Sequence, residues 1–231
     1  MLNIISLFKL RGIMFYTDWN QSLLESIGSG NYTKFNKALK YGANINSTTA
    51  QGQTALMGAI HFELTDFVRH LIKAGADVHH KETRQYETAL MTAINVGRID
   101  YIKMLISAGA TVKDKNRYGT TPLMLAAKKG NLNCLKQMLF LNNNQNINDV
   151  DTWQRNALTY ALENKHLKCC ELLLKFGAHS DKLDKNSHAE LFATIAAQKK
   201  SADRIFSVFK KSIAHFPRDK NSRSKPNTAS L

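Results

Sequence analysis

One four-residue string returns at nearly fixed intervals through this chain, and that interval restricts the folds open to it. Thr54-Ala55-Leu56-Met57, Thr88-Ala89-Leu90-Met91 and Thr121-Pro122-Leu123-Met124 stand 34 and then 33 positions apart. Looser copies follow at Asn156-Ala157-Leu158-Thr159 and Ala189-Glu190-Leu191-Phe192. Turn-like strings precede them by about twelve residues: Gly42-Ala43-Asn44-Ile45-Asn46, Gly75-Ala76-Asp77-Val78-His79, Gly109-Ala110-Thr111-Val112 and Gly177-Ala178-His179. A period of this length means a stacked array of one supersecondary unit, because a single unit cannot bury its own apolar face. Such an array works by presenting a surface, which moves the functional question away from enclosed reaction sites.

The residues within one period specify two helices. Leu123, Ala126 and Ala127 recur at helical spacing, and the alanines let a second helix pack closely. Thr121 suits an N-cap and Pro122 the first helical turn, where its missing N–H costs nothing. Gly130 falls just past that helix, where a left-handed residue is often needed. A second stripe follows at Leu132, Leu135, Met138 and Leu139, and the same logic runs through Phe67, Val68, Leu71 and Ile72, and through Ile102, Leu105 and Ile106. The pattern predicts an all-α solenoid of helix-turn-helix units joined by short β-hairpin-like turns.

The string Thr121-Pro122-Leu123-Met124-Leu125-Ala126-Ala127, with Gly119 two residues ahead of the threonine, resembles the signature of the ankyrin-repeat family. Several copies in register with Gly-Ala-x-Val endings strengthen that resemblance. It implies about six units: a degenerate first one near 17–46, four better ones at 49–79, 83–115, 116–148 and 151–181, and a worn last one at 184–216. The chain then divides into a leader or cap segment at 1–16, a repeat domain at 17–216 and a basic, disordered tail at 217–231. One departure matters. The signature histidine is replaced by Met57, Met91, Met124 and Thr159, so the polar bridging it supplies between turns cannot be assumed.

At 231 residues and 43% hydrophobic content, the chain can bury a long continuous core as one elongated domain. No run of 18 apolar residues occurs, so no membrane span is expected. The opening residues 1–8 are apolar but lack a basic stretch ahead of them and a clear cleavage site, which predicts a leader or capping segment. Three cysteines in a repeat array do not make a disulfide framework. Cys134 and Cys169 occupy equivalent positions of successive second helices, and buried thiols there predict a reducing, cytosolic compartment. The two Asn-x-Thr strings at 31–33 and 46–48 then read as chance matches.

Charge is less generic. The sequence holds 32 Lys and Arg against 18 Asp and Glu, a net charge of +14. Residues 199–231 carry +7 of it, nine basic residues against Asp203 and Asp219. Within them Ile205, Phe209, Ile213 and Phe216 form one helical stripe that is expected to seal the end of the stack. The segment after Phe216 has almost no apolar residues and is expected to be disordered. Lys199-Lys200 and Lys210-Lys211 could form a two-part nuclear import signal, although on a capping helix they read more simply as a solvated face.

The resemblance implies that partners are met at the turn tips and the exposed side of the first helices. The tip row is Gln51, Gln85, Tyr118 and Trp153, flanked by Arg84, Arg117 and Thr152 and by Gln53, Glu87, Thr120 and Arg155. The helix rows include Lys128 and Lys129, with Phe62 and Val96 apolar where solvent-facing residues are normal. Tyr118 and Trp153, with Arg117 and Arg155 beside them, have the aromatic and arginine composition of interface hot spots. The plainer alternative is that these rings lie over neighbouring turns and shield the stack.

Catalytic constellations are not found. No phosphate-binding glycine loop opens a helix, no H-E-x-x-H or paired C-x-x-C occurs, and Cys169-Cys170 lies on an apolar stripe. Neither enzyme activity nor a cofactor or metal is expected. The sequence predicts a monomeric protein–protein interaction module for a cytosolic partner with an acidic surface. The alternative is a tether to nucleic acid or anionic membrane working through the basic C-terminal region. A stand-alone repeat protein of Lys/Asn-rich, proline-poor composition is also similar to the ankyrin-repeat effectors of intracellular bacteria, which would place it in a host cytosol.

Overall fold

The computed structural model describes residues 17–141 and 146–179. The expected leader at 1–16, the sixth unit with its capping stripe and the basic tail lie outside the described residues. Ten helices run through the described part as five antiparallel pairs. The inner helices are α1 (Trp19–Gly28), α3 (Ala55–His61), α5 (Ala89–Val96), α7 (Pro122–Lys129) and α9 (Ala157–Glu163). The outer helices are α2 (Tyr32–Lys40), α4 (Thr65–Lys73), α6 (Ile99–Ser107), α8 (Leu132–Leu141) and α10 (Leu167–Lys175). Each inner helix packs on its own outer partner and on the inner helices before and after it. No strand occurs among the described residues, and a single antiparallel bridge joins Thr48 and Thr54.

The caps follow from the repeated string. Thr54, Thr88 and Thr121 each take an extended conformation, and their hydroxyls accept the backbone N–H of Met57, Met91 and Met124. Asn156 does the same for Thr159. These bonds satisfy one of the orphan amides at each helix start. Small residues then let the inner layer close up: Ala59, Ala93, Ala126 and Ala161 are fully buried. Gly58 is placed so that a Cβ would meet Ile27 of α1 at 3.2 Å. The outer stripes contribute Val68, Leu71, Ile102, Leu105, Leu135 and Leu173 to one continuous core. Burial of this kind, roughly 25 cal/mol per Å² of apolar surface, holds a solenoid together.

The three methionines at the signature position are buried, and only Met124 reaches back, its sulfur accepting the Thr121 N–H at 3.5 Å. Backbone hydrogen bonds run instead from tip to tip. Thr83 donates its N–H to the Gln51 carbonyl at 3.1 Å, Arg117 to Gln85 at 2.7 Å and Thr152 to Tyr118 at 2.9 Å. Bridging between units therefore survives loss of the histidine because the peptide groups supply it.

The turns between paired helices all pass through the left-handed region. Gly30, Gly97 and Gly130 hold that position in three units, and Glu63 (φ 56°) and Lys165 (φ 60°) hold it in the other two. At Gly130 the glycine is required twice, since a Cβ there would also lie 2.5 Å from the His166 ring. That ring reaches the Lys128 carbonyl through Nε2 at 3.1 Å and ties the last two described units together. The cysteines are buried and unpaired. Burial pushes the Cys134 thiol up to about 11 and the Cys170 thiol up to about 12, so neither is a ready thiolate.

A candidate partner-binding surface at the turn tips

Each hairpin tip is built on one polar acceptor, buried in the third, fourth and fifth units, and one left-handed residue. The acceptors are Glu82, Asn116 and Asp151, with the Thr49 hydroxyl serving the second unit. Glu82 takes the backbone N–H groups of Arg84, Gln85 and Glu87; Asn116 takes those of Tyr118 and Thr120; Asp151 takes those of Trp153 and Arg155. The left-handed residues are Gly52, Tyr86, Gly119 and Gln154. The residue before each of them, Gln51, Gln85, Tyr118 or Trp153, therefore occupies one register along the stack, as the repeat spacing predicts.

Tyr118 and Trp153 meet across that register. Their ring centroids lie 5.3 Å apart with the planes tilted by 31°. The rings cover each other only in part: Tyr118 remains 37% and Trp153 57% exposed. The guanidinium of Arg155 sits between two rings, 4.7 Å from the Trp153 centroid and 4.4 Å from Tyr160. It donates to the Asp151 carboxylate at 2.9 and 3.0 Å and to the Tyr160 hydroxyl at 2.6 Å. Tyr160 in turn donates to the same carboxylate at 2.7 Å. Arg155 thus acts mainly as an internal clamp that fixes the Trp153 ring, and it presents less free charge than its neighbours.

The other site residues distribute around this pair. Arg117 is exposed, lies 5.0 Å over the Tyr86 ring and donates to the Thr83 carbonyl at 3.2 Å. Lys128 and Lys129 are exposed at the end of α7, with the Lys128 ammonium 5.7 Å from the Tyr160 ring centroid. Arg84 is exposed on the preceding tip. Phe62 is 53% exposed and its ring meets His61 of its own unit edge-on, while Val96 is half-buried at the end of α5. The structure therefore gathers Tyr118, Trp153, Arg155 and Lys128 through the rings, adds Arg117 through Tyr86, and leaves Phe62 and Val96 on earlier units. Tyr86, 47% exposed, was not singled out by its sequence; its left-handed backbone, φ 59°, is invisible in the residue name.

Electrostatics differ between the two acids nearest this surface. Burial pushes the Asp151 carboxyl up, but the Arg155 N–H, the Tyr160 hydroxyl, the Arg155 guanidinium and the Trp153 N–H together hold it below its ordinary value. Burial raises the Tyr160 phenol, and its bond to Asp151 raises it further. Glu87 is displaced the other way: burial and the Glu82 carboxylate raise it, and Lys129 and Lys128 offset this only in part. Its carboxylate accepts from the Asn95 amide at 3.1 Å. Among the described residues no group of three or more His, Cys, Asp or Glu could hold a metal ion, and no helix is long and apolar enough to cross a membrane.

The comparisons with known proteins point the same way. The family described as Ankyrin repeats (3 copies) matches residues 23–116 and 109–187. Neurogenic locus notch homolog protein 1 of Mus musculus and of Homo sapiens is 29% identical over 147 residues. That stretch is 64% of this chain but 6% of those much longer proteins, so the likeness concerns a small part of them. Repeats of this family are protein–protein interaction modules, generally without catalytic activity. On fold, periodicity and family match, the chain belongs to the ankyrin-repeat family.

Proposed function

We propose that this protein is a monomeric, non-enzymatic binding module that captures an acidic-surfaced protein partner at the tips centred on Tyr118 and Trp153. The observation that carries the reading is the ring pair itself: two large aromatics, 5.3 Å apart and still well exposed, held by a fixed guanidinium. Rings restrict few torsions on binding and offer large contact area, so a preformed pair of this kind suits a hot spot. Arg117, Lys128 and Lys129 surround it with exposed positive charge, which favours an acidic partner and faster encounter. A cytoplasmic location fits the buried free thiols.

The test is affinity capture with the full chain, its Trp153→Ala variant and a variant neutralised at Arg218, Lys220, Arg223 and Lys225. Loss of the captured protein with Trp153→Ala, and retention with the tail variant, supports the reading. The reverse pattern overturns it in favour of a tether working through the basic C-terminal region.

A further inference from the structure

Among the ten described helices the net positive charge lies on one layer. The outer helices carry nine Lys and Arg against Asp66, Asp100 and Glu171, whereas the inner helices carry Lys128 and Lys129 against Glu25 and Glu163. The layer opposite the inner helices is thus strongly basic and the inner layer is neutral. On that basic layer a shallow groove of about 670 Å³ crosses α6, α8 and α10. Its apolar lining is Ile99, Phe140, Leu172 and Phe176, and its charged lining is Lys103, Lys136 and Lys175, with no carboxylate. Among the described residues none of these three lysines has an ion-pair partner, while the nearby Asp100 is occupied by Arg98 at 2.7 Å. Phe140 is 79% exposed, more than any other large hydrophobic side chain described, and Phe176 is 40% exposed.

We propose that this outer layer binds an anionic lipid surface, with Phe140 entering the headgroup boundary and Lys103, Lys136 and Lys175 contacting the headgroups. An exposed ring flanked by long basic side chains is the composition of an interfacial anchor, in which the ring loses water contact and the ammonium groups stay at headgroup level. The extent of the charge favours a bilayer over a peptide seated in the groove. The surplus continues beyond the groove to Lys37 and Lys40 on α2 and Lys73 on α4, all exposed. A flat anionic surface meets charges on several helices at once, and each basic residue near it adds attraction within a Debye length. A groove-bound segment would reach only the three lysines that line it. The surface is separate from the Tyr118–Trp153 tips, so the protein could hold a partner on one side and a membrane on the other.

The experiment uses the full chain with vesicles of phosphatidylcholine alone and of phosphatidylcholine with about 30% phosphatidylserine, the lipid whose negative potential attracts basic segments. Binding is expected to the anionic vesicles only, weakening as salt rises. Replacing Lys103, Lys136 and Lys175 together by Gln should weaken it about 100-fold, about fivefold per charge. Phe140→Ser should weaken it about tenfold. Both variants should keep the parent melting temperature, because the altered side chains are exposed. Equal binding to both vesicle types, or to neither, overturns the proposal. So does undiminished binding of the triple variant when neutralising Arg218, Lys220, Arg223 and Lys225 abolishes it. Binding of a soluble Glu/Leu amphipathic helix by the parent chain, with no vesicle binding, would assign the groove to a protein segment and overturn it as well.

Discussion

The tips of the second and third units and those of the fourth and fifth share one backbone and differ in what they display. In both, a polar group ahead of the tip holds the turn and a left-handed residue reverses it, and from the third unit onward an N–H reaches back to the preceding tip. At the early tips the register residues are Gln51 and Gln85, and the Gln51 carbonyl is taken by both the Thr83 N–H and the Thr83 hydroxyl. The His80 ring adds a bond to the Gly52 carbonyl at 2.9 Å. At the late tips the same register holds Tyr118 and Trp153, and the clamp has moved inward to Asp151, Arg155 and Tyr160. Stacking is therefore secured by peptide groups that any residue supplies. The side chains of the register are left free to specialise, and only one pair of tips has done so.

The largest expected difference lies between the acceptor of the fifth tip, the buried Asp151, and that of the second, the half-buried Thr49. Asp151→Ala strands two backbone N–H groups, the Tyr160 hydroxyl and the Arg155 guanidinium, and should cost about 2–4 kcal/mol in denaturant unfolding. Thr49→Ala at the early tip removes one acceptor for the Gln53 N–H and should cost about 1 kcal/mol. Equal costs would mean that the late tip is no more tightly clamped than the early one. Next in size is Gly130→Ala. Its φ of 68° and the approach to His166 should together cost about 1–3 kcal/mol. Gly109→Ala, at φ 96° with open space around it, should cost about 1 kcal/mol. If both glycines behave alike, the His166 contact does not join the fourth and fifth units.

Much of this architecture is legible in the sequence. The threonines at 54, 88 and 121, the glycine at 130 and the alternation of apolar stripes identify caps, turns and buried faces, because each depends on a residue's nearest neighbours in sequence. The tip register was legible for the same reason. The pairing of Asp151 with Tyr160 was not, since it requires knowing how α9 leaves the turn. Arg155 illustrates the cost of that gap: its sequence context offers a cation for a partner, and the fold spends it on Asp151 and two rings. Left-handed turns at Glu63 and Lys165 carry no glycine to announce them. The sidedness of charge was also hidden, because summing along the chain draws attention to residues 199–231 and blurs the difference between helix layers.

A smaller effect separates the two acids by pH. Asp151 titrates below its ordinary value of 3.8 in the folded chain, so its contribution is fully present above that pH and is lost as pH falls through the folded value. Glu87 titrates above its ordinary value of 4.5, so the folded state is favoured below that pH and loses stability as pH rises through the folded value. Thermal melts across the acid range should show Asp151→Asn flattening the acid loss and Glu87→Gln removing the decline on the rising side. Identical profiles for the two variants would contradict the opposite displacements. Smallest of all, Lys128→Glu should leave stability within about 0.5 kcal/mol of the parent. Stopped-flow association with the captured partner should be slower for it, by a factor that shrinks as salt rises.

The central claim is that one pair of tips, and not the whole row, carries partner binding. Calorimetric titration of the captured partner with Trp153→Ala and with Gln51→Ala tests it directly. Trp153→Ala should weaken binding by about 2 kcal/mol or more with the melting temperature retained, and Gln51→Ala by less than about 0.5 kcal/mol. Unchanged affinity for the Trp153 variant, or equal losses at the two tips, would contradict the account.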